Sequence, residues 1–102
     1  MYKLTIYIPE SHLETVKSAL FTAGAGSYEA YDRCCWQVRG DGQFRALKGS
    51  RPAIGAEGVE THVTEYRVEM VCPEEKLFAA REAIKKSHPY EVPAFDFTRI
   101  IT

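Results

Sequence analysis

Lys3-Leu4-Thr5-Ile6-Tyr7-Ile8, closed by Pro9, is the stretch that decides the fold. Leu4, Ile6 and Ile8 recur every second residue and share one face, the pattern of a half-buried strand. Pro9 ends it, because proline has no N–H to give to a ladder. Ser11 and Glu14 stand at the spacing of a capping box, in which each side chain satisfies the other's free backbone N–H. Leu13, Val16, Leu20 and Ala23 then keep helical spacing along one stripe. Gly24 and Gly26 stop that helix, since glycine takes the left-handed conformation of a C-cap without penalty.

The same order returns in the second half. Tyr2-Lys3-Leu4-Thr5-Ile6 lies over Tyr66-Arg67-Val68-Glu69-Met70, Pro9-Glu10 over Pro73-Glu74, Leu13 over Leu77, and Leu20 over Ile84. Glu74 and Glu75 open the second helix and Lys85 and Lys86 close it, both matching the sign of the helix dipole. A further strand follows each helix, at Ala30 to Val38 and at Phe95 to Ile101. The pattern predicts an α+β, ferredoxin-like (βαβ-βαβ) sandwich: a four-stranded antiparallel sheet with two helices on one face.

One domain over residues 1–102 is expected, interrupted by a glycine-rich excursion at about 39–60. Gly40, Gly42, Gly49, Gly55 and Gly58 fall there with Pro52. Gly40-Asp41-Gly42 reads as a tight turn, and Gln43 to Leu47 as a short additional strand. A loop of this length in a small domain is functional or flexible.

Composition narrows the function classes. Apolar residues at 45% and charged residues at 26% are ordinary globular values. A formal charge of -1 argues against general nucleic-acid affinity, which needs a basic footprint. No apolar run reaches membrane-spanning length. The first strand begins at Tyr2, which leaves no room for a cleavable leader. Three cysteines without a sign of secretion predict reduced thiols and a cytoplasmic setting.

Chemistry-bearing residues are few. Cys34 and Cys35 are neighbours in the expected strand and point to opposite faces. Cys34, with Trp36 and Val38, and Cys72, with Val68 and Met70, are read as core. No Cys-x-x-Cys or His-Glu-x-x-His spacing occurs; a divalent metal, if held, would use Cys35 and His88. Arg39, Arg45, Lys48 and Arg51 crowd the excursion and suit a small anionic ligand. No nucleophile with a base and an orienting partner emerges, so no catalysis is expected.

The remaining segment is Ser87-His88-Pro89-Tyr90-Glu91-Val92-Pro93-Ala94-Phe95-Asp96. Pro89 disfavours helical geometry at His88, so a helix cap and rigid corner is the plain reading. A protonated imidazole would be favoured at that helix end. The functional reading sets His88 beside Tyr90 and Glu91 for ligand binding or proton transfer.

His88 to Asp96, with Gly42-Gln43-Phe44-Arg45, Gly49 to Gly55, Tyr31-Asp32-Arg33-Cys34, and the opening from Lys3 through Gly26, resembles a known module. It is similar to the domain inserted into many bacterial members of the NGG-one-interacting-factor-three family, proteins with a dinuclear metal centre. The resemblance is to the insert alone, here expected as a stand-alone chain without the His and Glu ligands of the flanking halves. Val92 and Phe95 depart from the acid and the tyrosine the family often has. The insert is in turn similar in fold to PII signalling proteins and CutA divalent-ion-tolerance proteins. That resemblance implies a homo-oligomer, a trimer by preference, with sheets facing inward. It implies ligand sensing or protein docking, or, in the CutA manner, divalent-metal binding. Tyr7, Val71, Thr5 and Glu69 then fall on the sheet face away from the helices.

Overall fold

The computed structural model describes residues 1–102. Strand β1 (Tyr2–Pro9) leads to helix α1 (Leu13–Ala23), strands β2 (Trp36–Arg45) and β3 (Glu60–Cys72), helix α2 (Leu77–Ser87) and strand β4 (Phe95–Arg99). The sheet order is β2-β3-β1-β4, antiparallel throughout. β1 and β3, the first strands of the two repeats, pair at the centre with Leu4 opposite Met70 and Ile6 opposite Val68.

The repeat is visible in backbone angles. Pro9 (φ -63, ψ 145) and Pro73 (φ -61, ψ 146) each turn an extended strand into a one-turn 3-10 segment, Glu10–His12 and Glu74–Lys76, that runs into the main helix. Leu4, Ile6 and Ile8 are fully buried, with Val68 and Cys72 beside them. Leu13, Val16 and Leu20 of α1 and Ala80 and Ile84 of α2 close over them in one core. Burying each large aliphatic chain of this kind contributes roughly 1.5–3 kcal/mol. The alternation seen in β1 thus becomes one helix-covered face.

Gly24 takes φ +106 and caps α1, its N–H meeting the carbonyls of Leu20 and Phe21. α2 ends at Ser87, and the pre-proline His88 is extended at ψ 133. The capping box does not form. Ser11 instead bonds the His12 ring (2.8 Å), because the 3-10 turn puts it inside the helical entry rather than before it.

The second strand differs from its expected span. Residues 30–35 are irregular, with Glu29 and Arg33 at positive φ and Tyr28 bridged to Tyr31. β2 begins at Trp36 and continues through Gly40-Asp41-Gly42, which is strand and not turn. The reason lies across the ladder. Gly42 faces Val63, and a Cβ added at Gly42 would overlap the Glu65 carboxylate. β2 and the long β3 form a ribbon that outruns β1, whose last partner on β3 is Glu65. The excursion shrinks to residues 46–59, pinned at its neck by an Ala46–Glu57 bridge and the Gly58 N–H to the Ala46 carbonyl (2.7 Å). β4 likewise stops at Arg99.

Cys72 is fully buried, as expected; Cys34 is only half-buried, its thiol near the Asp32 carbonyl. Trp36 and Val38 are not core. Trp36 pairs with Glu69 and Val38 with Arg67, which puts both on the face without helices, where they are 57% and 40% exposed. Tyr7, opposite Arg67 on the other side, is 40% exposed on that same face. No helix is long and apolar enough to cross a membrane.

Candidate functional site

The corner after α2 is tied down at every step. The Ser87 hydroxyl returns to the Ala83 carbonyl (2.6 Å) and the His88 N–H to that of Ile84 (2.9 Å). The His88 side chain is 6% exposed. Its Nε2 lies 2.8 Å from the Tyr7 carbonyl, while the Tyr90 N–H donates to Nδ1 at 3.2 Å. An accepting Nδ1 and a donating Nε2–H define the neutral ring. Burial holds its pKa below the usual histidine value, only partly offset by the Tyr7 carbonyl and the Glu65 charge. The protonated helix-end imidazole expected from the sequence is therefore replaced by a neutral one that joins α2 to β1.

Tyr90 leans on His88 (centroids 4.9 Å) and on Phe44 (6.2 Å), and its hydroxyl donates to Oε2 of Glu65 at 2.8 Å. Burial first, then the Glu65 bond and charge, push the phenol well above the ordinary tyrosine range, so it stays protonated at neutral pH. Glu91 turns the other way, its Oε2 accepting the Arg51 N–H at 3.0 Å and fastening the 46–59 loop to the corner.

Between loop, corner and ribbon lies a groove of about 510 Å³, walled by Tyr7, Phe44, Leu47, Pro52, Ile54, Tyr90 and Val92 with Glu65 and Glu91 among them. Of the residues singled out in the sequence, Arg45, Tyr90 and Glu91 line it. Arg51 contributes its backbone to the rim, and Lys48 sits in the Leu47–Ser50 turn. Arg39 is apart, paired with Glu10 at 3.6 Å. Cys35 borders a different groove with Tyr28, Tyr31 and Trp36, and both ring nitrogens of His88 are already engaged. Sequence reasoning missed Tyr7, Phe44 and Glu65. Strand parity carried part of the signal, since it sets Tyr7 and Glu65 on the face away from the helices.

This architecture is that of the PII- and CutA-like proteins. CutA from Archaeoglobus fulgidus superposes with a TM-score of 0.68 at 19% identity, covering 98% of this chain and 84% of that one. The PII-like protein CutA from Nostoc gives 0.68 at 14% identity over 98% of this chain and 81% of that one. These likenesses define the fold.

A closer relationship carries sequence as well. A Bacillus cereus protein related to NIF3 superposes with a TM-score of 0.84 at 30% identity over 99% of this chain but 26% of its own. The GTP cyclohydrolase 1 type 2 homolog of Mycobacterium tuberculosis is 43% identical over 99 residues, 97% of this chain and 26% of that protein. Its Bacillus subtilis namesake is 42% identical over 94 residues, 92% of this chain and 25% of that protein. The chain is homologous to the domain inserted in NIF3-type proteins, and it spans about a quarter of the curated relatives it matches. No family model matches it.

Proposed function

We propose that the domain is a small homo-oligomeric module, preferentially trimeric, that senses a ligand or docks on a partner protein and performs no catalysis of its own. The observation that carries this reading is the groove. A concave, largely apolar space with a few fixed polar groups is the usual form of a small-molecule site. Its floor is held by the His88–Tyr90–Glu65 chain and its rim by a glycine-rich loop, so an occupant would be felt by both. The apolar sheet face bearing Trp36 and Val38, which lie outside the groove lining, supports self-association, because patches of that kind are usually covered. The reaction in the curated relatives' name is not carried over, given that the match covers only a quarter of them.

Isothermal titration of the full chain with nucleotides, phosphorylated metabolites, organic amines and divalent ions tests the reading. A saturable heat from one class supports it, and silence from all of them contradicts it. The divalent-cation reading rests on the names of the CutA neighbours. His88 offers no free ring nitrogen to a metal in this conformation, which makes that reading the weaker one.

A further inference from the structure

The groove's chemistry narrows what it would hold. Three aromatic side chains, Tyr7, Phe44 and Tyr90, line it, with the Phe44 and Tyr90 rings tilted 56° to each other. Glu65 and Glu91 line it too, and neither takes part in an ion pair anywhere in the molecule. The Tyr90 hydroxyl and the Arg51 N–H each take one carboxylate oxygen, and neither carboxylate has an ion-pair partner. Arg45 is the one basic residue of the lining, so the groove sets two carboxylates against one guanidinium. Lys48 and Arg51 keep their side chains outside the lining.

We propose that this groove binds a small organic ammonium ion, an alkylated or quaternary amine, with Tyr7, Phe44 and Tyr90 around its apolar surface and Glu65 and Glu91 supplying the countercharge. The inference rests on the ligand-sensing reading and gives it a ligand class. Aromatic faces carry negative charge and attract cations, most strongly where the cation is shed of water, and alkylammonium heads are recognised this way. An alkylated amine loses little hydration on entering an apolar space, so the aliphatic walls at Leu47, Pro52 and Ile54 suit its body. A phosphate or carboxylate would meet two carboxylates against one guanidinium, a lining whose net charge disfavours an anion. The volume of about 510 Å³ is that of an ordinary small-ligand site.

Titration of the isotope-labelled full chain by NMR, with choline, its neutral isostere 3,3-dimethylbutan-1-ol and inorganic phosphate as separate probes, tests this. Choline is expected to shift Phe44, Ile54 and Tyr90 saturably and to bind about tenfold or more tighter than the alcohol. Glu65→Gln keeps an acceptor for the Tyr90 hydroxyl, so the fold should persist while choline affinity falls about tenfold. Glu91→Gln, whose side chain is exposed, gives a smaller loss and serves if the first variant melts early. Equal binding of alcohol and choline, or choline affinity indifferent to both substitutions, overturns the ammonium assignment. Phosphate binding in the groove overturns it as well, while leaving a ligand-sensing module standing. Absence of any shift from choline refutes the inference, and only silence across the calorimetric panel removes the ligand reading too.

Discussion

Nε2 of His88 donates to the Tyr7 carbonyl at 2.8 Å, joining residues 81 positions apart in the chain. The bond falls where β1 leaves its pairing with β4, beside the Tyr7 N–H to Ala94 carbonyl bond of 3.1 Å. One imidazole thereby fastens the end of α2, the end of β1 and the start of the 88–94 corner.

Replacing His88 by Ala should cost about 2–4 kcal/mol, combining a buried void with an unpaired Tyr7 carbonyl and Tyr90 N–H. For a domain of this size that lowers the melting temperature by roughly 10–25 °C. Urea denaturation of the purified variant measures it. A loss below about 0.5 kcal/mol would mean the ring is a bystander.

The same ring predicts a pH response. Burial lowers its folded-state pKa, whereas the unfolded chain titrates near about 6.5. As pH falls below about 6.5 the unfolded state takes up a proton that the folded state refuses, so stability declines. Above that value the ring is neutral in both states and contributes no slope. Urea midpoints of wild type and His88→Gln, followed from about pH 8 to about pH 5, should show the wild-type advantage shrinking on acidification. Parallel curves would contradict the neutral-ring assignment.

Tyr90→Phe removes only the hydroxyl bonded to Glu65, and a loss of about 1 kcal/mol is expected. Spectrophotometric alkaline titration offers an independent check. The Tyr90 phenol should ionise well above the ordinary tyrosine range in wild type, and that step should vanish in the variant. Its persistence would place the high-pKa phenol elsewhere.

Gly42→Ala puts a Cβ against the Glu65 carboxylate. The carboxylate must swing away, breaking its bond to Tyr90, for an expected cost of about 1–2 kcal/mol. The Gly42→Ala, Tyr90→Phe double variant should then be less destabilised than the sum of the two singles. Strict additivity would show that Gly42 acts independently of the Glu65–Tyr90 bond.

The fold was legible because its information is local and repeated. Leu4, Ile6 and Ile8 alternate, Pro9 and Pro73 mark equal turns, and Gly24 and Pro89 stop the helices in the ways their backbones require. The resemblance to the insert of NIF3-type proteins and to PII and CutA folds held for the same reason. Strand β2 was misplaced because Gly40-Asp41-Gly42 is turn-like in every local respect. Only its pairing with residues 63–65 makes it strand. The groove was half legible. Tyr90 and Glu91 stand in a conspicuous segment, but Phe44, Tyr7 and Glu65 join them through long-range pairing that no short window of sequence contains.

We propose that the open sheet face bearing Trp36 and Val38 is closed by further copies of the chain. Static light scattering after size exclusion, at about 50 μM protein, tests it in one run. The expected mass is three times the 11.5 kDa of the chain, collapsing toward a single copy in Trp36→Glu. A wild-type mass of 11.5 kDa at that concentration would contradict it.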